Sequence, residues 1–139
     1  MKRFLINLED DTTDLNDIIK AFELTTKLMK EFGLSKVFLL VPTLQDMKDT
    51  SIEDFFGESI ANSLLKDKIV QFKEFKLQLE TIRTFRTPKA AKSILIAIYA
   101  TDKMFDILND VKIAEAIITV PWTMDQAEKW IKTWGPELI

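Results

Sequence analysis

Three strongly apolar stretches constrain this chain more than anything else in it: "KVFLLV" (36–41), "SILIAIYA" (93–100) and "AEAIITV" (114–120). A strand with one wet face alternates apolar and polar residues, and these do not alternate. Continuous Val, Ile and Leu runs belong to strands covered on both faces, which is the condition of a parallel sheet between layers of helix. Two of the runs stop at Val-Pro, Val41-Pro42 and Val120-Pro121. Proline has no N–H for the ladder, so each marks the place where a strand leaves the sheet. Both pieces read Val-Pro-x-x-x-Asp, with Asp46 and Asp125, but the flanking segments do not align further and no duplication is inferred from them.

Helical periods separate the runs. From Asp14 to Phe32 the apolar residues Leu15, Ile18, Ile19, Phe22, Leu28, Met29 and Phe32 fall three and four apart. "EDDTTD" before them supplies the N-cap, and Gly33 closes the helix. Ser51, Glu53 and Asp54 open a second helix running to Leu65, with Gly57 awkwardly inside it as a candidate break. Thr101 caps a short helix "DKMFDILND". Thr123 and Gln126 fit the Thr-x-x-Gln capping box of a last helix carrying Met124, Ala127, Trp130, Ile131 and Trp134, ended by Gly135-Pro136. "RFLINL" (3–8) reads as a first strand, and 77–84 as another, although 68–85 does not settle between periods of 2 and 3.6.

Strands alternating with helices at these intervals call for βαβ crossovers. The expectation is one α/β domain over residues 1–139. It has a mostly parallel sheet of four to five strands with helices on both faces, a Rossmann-like three-layer sandwich. Phe22, Leu39, Leu40, Ile96, Ile98, Ile117 and Val120 are expected in its core.

Composition narrows the function classes. The 139 residues contain no cysteine and no histidine, which removes thiolate chemistry, Ser-His and Cys-His nucleophile systems and most zinc sites. Nineteen Lys and Arg against 22 Asp and Glu leave a net charge of −3, which disfavours a nucleic-acid binder with a broad basic surface. No apolar run approaches the ~20 residues of a membrane span, and the first residues are too short an apolar patch for a signal peptide. A cytoplasmic location follows as the plain expectation. With glycine only at 33, 57 and 135, neither a Walker loop nor a dinucleotide fingerprint exists, and no cofactor is expected.

In open parallel sheets, ligands bind outside the carboxyl ends of the strands, at a switch in strand order. Here that rim is expected to draw on Pro42-Thr43, Arg83-Thr84, Tyr99 with Thr101-Asp102, and Pro121-Trp122. The densest basic stretch, "IRTFRTPKAAK", sets Arg83, Arg86, Lys89 and Lys92 three apart. Arginine forks suit phosphate or carboxylate, so Arg83, Thr84, Arg86, Thr101 and Asp102 are the candidate ligand residues for a small anion. The competing account makes the hydroxyls helix caps and the charges a solvated connection. Asp102, Asp106 and Asp110 on one helix, and Glu9, Asp10, Asp11 and Asp14 near the start, are explained by neighbouring lysines and helix-start electrostatics, so no metal is expected. Trp122, Trp130 and Trp134 supply a candidate aromatic surface for a protein partner or for self-association.

Two functions follow as expectations. One is a small binding or protein-interaction module, a homodimer if the tryptophan surface is self-complementary. The other is a sensor or enzyme holding an anion at the rim. Catalysis without His or Cys would need a carboxylate, Lys103 or Tyr99 in an altered environment, or a metal, and no catalytic residue is assigned.

Overall fold

The computed structural model describes residues 1–86 and 91–139. Among them, seven strands form one sheet: β1 (Lys2–Leu5), β2 (Lys36–Val41), β3 (Ile69–Gln71), β4 (Lys76–Thr81), β5 (Ile94–Ala100), β6 (Ala116–Pro121) and β7 (Glu137–Leu138). Their order is β3-β4-β2-β5-β6-β1-β7, and every neighbouring pair is parallel except the antiparallel pair β3–β4. The helices are α1 (Leu15–Phe32), α2 (Ser51–Phe56), α3 (Glu58–Asp67), α4 (Asp102–Asn109) and α5 (Glu128–Trp134). Single 3-10 turns stand at Leu44–Met47 and Met124–Ala127.

The three continuous apolar runs are β2, β5 and β6, adjacent at the middle of the sheet, and every residue from Ile94 to Ala100 is buried. Alternate residues feed two apolar clusters. Val37, Leu39, Val41, Ile96, Ile98, Ile118 and Val120 pack with Ile18, Phe22, Ile52 and Leu64 of α1, α2 and α3. Phe38, Leu40, Leu95, Ala97 and Ile117 pack with Met104, Phe105, Leu108 and Trp130 of α4 and α5. All seven residues expected in the core are buried. Helix α1 lies against β5 and β6. It is capped by Asp14, whose carboxylate accepts the Asp17 N–H at 3.1 Å while the Asp17 carboxylate accepts the Asp14 N–H at 2.9 Å. Gly33 ends it at φ 65°, a left-handed position that suits glycine.

Several expectations require correction. The sheet has seven strands, not four to five, because β3 and β7 are edge pieces of three and two residues, too short for any pattern to register. The strand expected over 77–84 is β4, Lys76–Thr81. It stops where the Thr84 and Phe85 N–H groups turn back onto the Thr81 carbonyl at 3.1 and 2.9 Å. The first strand is Lys2–Leu5 instead of 3–8. The helix expected from Ser51 to Leu65 breaks at Gly57 (φ 85°, ψ 156°), whose N–H closes α2 on the Glu53 carbonyl while its own carbonyl opens α3. The Thr123–Gln126 capping box does not form. The Thr123 side chain caps nothing, and Gln126 Oε1 instead accepts the Asp102 N–H at 2.9 Å, satisfying a free donor at the start of α4. Among the described residues, no helix is long and apolar enough to cross a membrane.

Candidate functional site

Strands β2 and β5 are neighbours, Phe38 opposite Leu95, yet their connections leave toward opposite faces. The chain after β2 goes to α2 and α3 in one apolar cluster, and the chain after β5 goes to α4 in the other. Loops that diverge in this way leave a crevice at the carboxyl ends of the strands. It is present here with a volume of about 410 Å³. The β1–α1 loop contributes Thr12 and Thr13, the segment after β2 contributes Asp46, Asp49 and Thr50, and α2 contributes Ser51 and Asp54. Tyr99 of β5 and Trp122 after β6 complete the lining.

The walls are stitched together. Thr13 Oγ1 donates to the Pro121 carbonyl at 2.6 Å, tying the β1 loop to the end of β6. The Trp122 N–H donates to the Ala100 carbonyl at 3.0 Å, tying β6 to β5. The Ser51 N–H donates to Tyr99 Oη at 3.2 Å, tying α2 to β5, and Thr50 Oγ1 donates to the Asp46 carbonyl at 2.7 Å. Tyr99 gets there through a bulge. The β5–β6 register slips between Ile98 and Ala100, and Tyr99 sits at φ 57°. Asp49, in the same lining, sits at φ 55°. Non-glycine residues in the left-handed region cost about 1–3 kcal/mol each and concentrate at functional sites. Trp122 stands edge-on to Tyr99, ring centres 5.2 Å apart, and is 43% exposed.

The charge of the lining is one-sided. Asp46, Asp49 and Asp54 bring three carboxylates, and among the described residues no lysine or arginine lines the crevice. The ion pairs among the described residues, Lys2–Glu31 and Lys20–Glu9, involve none of the three. Asp46 is partly spent on its own loop, where Oδ2 accepts the Thr43 N–H and Oγ1–H, both at 3.0 Å. Among the described residues, no three carboxylates converge as metal ligands.

The residues proposed from sequence fall in three places. Arg83 lines a separate hollow of about 660 Å³ beside the β2 and β4 ends, with Thr84, Thr43 and Gln45. Two of its hydroxyls are already engaged, since Thr84 donates to Glu80 and Thr43 to Asp46. Arg86 turns its guanidinium onto the Arg83 and Phe85 carbonyls, at 3.1 and 2.9 Å. Lys89 lies outside the described residues, and Lys92 is exposed before β5. Thr101 caps α4 by accepting the Met104 N–H at 3.4 Å, and Asp102 lines a groove between α4 and α5. Arg83 and Thr84 therefore line one hollow, Asp102 lines another, and Thr101, next to Asp102 in the chain, serves as the cap of α4.

The tryptophans divide as well. Trp122 is at the crevice, whereas Trp130 is 1% exposed in the cluster under α4 and α5. Trp134 Nε1 donates to Asn109 Oδ1 at 2.7 Å, and the Arg3 guanidinium lies 3.7 Å from the Trp134 ring centre. Burial lowers the Arg3 pKa from its ordinary value.

Of the crevice residues, Tyr99 and Trp122 were legible as rim members. Thr12, Thr13, Asp46, Asp49, Thr50 and Ser51 were not singled out for binding, and Asp54 stood out as a helix-start acid. Their signal was positional, two loops dense in Asp and Thr directly after expected strands, and helix capping accounts for such residues equally well. No protein-family model, curated protein or solved structure matches the chain.

Proposed function

We propose that this chain is a binding module of Rossmann-like three-layer architecture. It takes a small molecule in the crevice between the carboxyl ends of β2 and β5. The observation that carries this is the convergence of the segments after β1, β2 and β6 on the bulged end of β5 where neighbouring connections diverge, with hydrogen bonds holding them to one another. A preformed concave site with an aromatic wall and a few convergent polar groups is the usual form of a small-ligand pocket. An anion site on Arg83 and Arg86 has less support, because Arg86 is folded back onto carbonyls and the crevice itself is lined by carboxylates. A partner surface built on α5 also has less support, with Trp130 inside and Trp134 held between Asn109 and Arg3.

Tryptophan fluorescence tests the location. Trp122 is exposed and Trp130 is buried, so a ligand entering the crevice should shield Trp122 from acrylamide and leave the buried signal unchanged. A small-molecule library screened by amide chemical shifts should move Thr13, Thr50, Ser51, Tyr99 and Trp122 together. Hits that consistently move the α4–α5 groove or the Arg83 hollow instead would refute the assignment.

A further inference from the structure

We infer that the molecule taken by the crevice is a small organic cation, an ammonium group on a hydroxyl-bearing body flat or compact enough to lie against Trp122. The inference rests on the reading that the crevice is the ligand site, and adds its chemical class.

Tyr99 provides the first argument. It is 7% exposed and lines the crevice, with its phenol oxygen engaged as the acceptor of the Ser51 N–H. Its own O–H proton has no acceptor among the described residues. Because Tyr99 lines the crevice, that proton is available to a lone pair on whatever occupies it. A hydroxyl on the ligand supplies it.

Charge provides the second. Asp49 and Asp54 are exposed carboxylates on the lining, and among the described residues no cation is paired with either. In a concave site, uncompensated charge of one sign raises the local concentration of ligands of the other. A phosphate or carboxylate ligand would be repelled, and a neutral sugar would leave the field unmatched. A bare divalent ion is a poorer match, since aromatic rings offer it no ligands and no three carboxylates converge among the described residues.

Trp122 provides the third. Indole is the strongest of the side-chain rings for attracting an ammonium group over its face, and this one is 43% exposed beside the carboxylates. Carboxylates, an aromatic face and an unused hydroxyl donor together describe the complement of a hydroxylated amine.

Two isosteric pairs decide the matter: glucosamine against glucose, and choline against 3,3-dimethyl-1-butanol. Each is titrated into the full chain, with Trp122 quenching and the Tyr99 and Ser51 amide shifts as readouts. At least one cation should bind, with its neutral partner about tenfold weaker or more, and the difference should shrink as salt rises. The D49N/D54N double variant should lose that discrimination while keeping its melting transition, since asparagine tolerates the left-handed backbone at position 49. Should the double variant fail to fold, the isostere comparison in the native chain still decides. Equal binding by cation and neutral partner, or tighter binding by glucose 6-phosphate, overturns the cation and leaves the crevice standing. No response to any of these probes overturns the cation. If the wider library also leaves Trp122 unmoved, the crevice reading falls as well.

Discussion

The phenol oxygen of Tyr99 accepts the backbone N–H of Ser51 at 3.2 Å, joining the bulged end of β5 to the first turn of α2. Ser51 is the first residue of α2, where N–H groups have no partner inside the helix. Tyr99→Phe should therefore leave a donor unsatisfied without altering the packing of the ring. The expected loss is about 0.5–1.5 kcal/mol of unfolding free energy by urea titration. Exchange of the Ser51 amide should accelerate in parallel, and an unchanged Ser51 amide would show that the bond is not formed in solution.

Burial pushes the Asp17 carboxyl above its ordinary range, against the lowering effect of the Asp14 N–H. An acid with a raised folded pKa favours the native state fully only below its unfolded pKa, about 3.9 for aspartate. That contribution is lost as pH rises through the folded value. Asp17→Asn keeps an oxygen for the Asp14 N–H and removes the ionisation. The variant should melt higher than the native chain at pH 7, with the gap closing as pH falls to about 3. A gap that widens toward acid would contradict the sign.

Gln126 caps a helix it does not belong to. Its carbonyl oxygen takes the Asp102 N–H, so Gln126→Ala should unseat the start of α4 and spare the start of α5. The expected cost is about 1 kcal/mol, the usual worth of a cap. Hydrogen exchange should locate the loss at Asp102 and Lys103, not at 124–128.

Ile96 lies at the centre of β5, fully buried, with β2 on one side and β6 on the other. Ile96→Ala should destabilise by about 2–5 kcal/mol, measured by denaturant unfolding. Ile69→Ala, at an exposed position on edge strand β3, should change stability by less than about 0.5 kcal/mol.

The sheet was legible because its inner strands carry a signal that nothing else imitates. Successive residues such as Leu39 and Leu40, or Ile117 and Ile118, are apolar on opposite sides of the pleat, which only a doubly covered strand requires. The edges were not legible. Glu137 and Leu138 become a strand solely because β1 offers them its free side, and that is a tertiary fact. The site was half legible. Rim position identified Tyr99 and Trp122, while Asp49 and Asp54 resemble ordinary loop and helix-start acids until the fold brings them to one crevice. Gln126 misled because a capping box and a cap on a neighbouring helix have the same local sequence.

The placement of β1 bears on the order of assembly. Its residues pair with Ala116–Thr119 on one side and with Glu137–Leu138 on the other, so the first strand finds both neighbours among the last residues described. The pairs β5–β6, β2–β4 and β2–β5 close far shorter loops. Loop closure being entropically graded, they are the natural nucleus, and β1 waits for the chain to return. A ribosome releasing this chain would emit β1 long before β6, leaving Phe4, Leu5 and Ile6 without their native neighbours until β6 arrives.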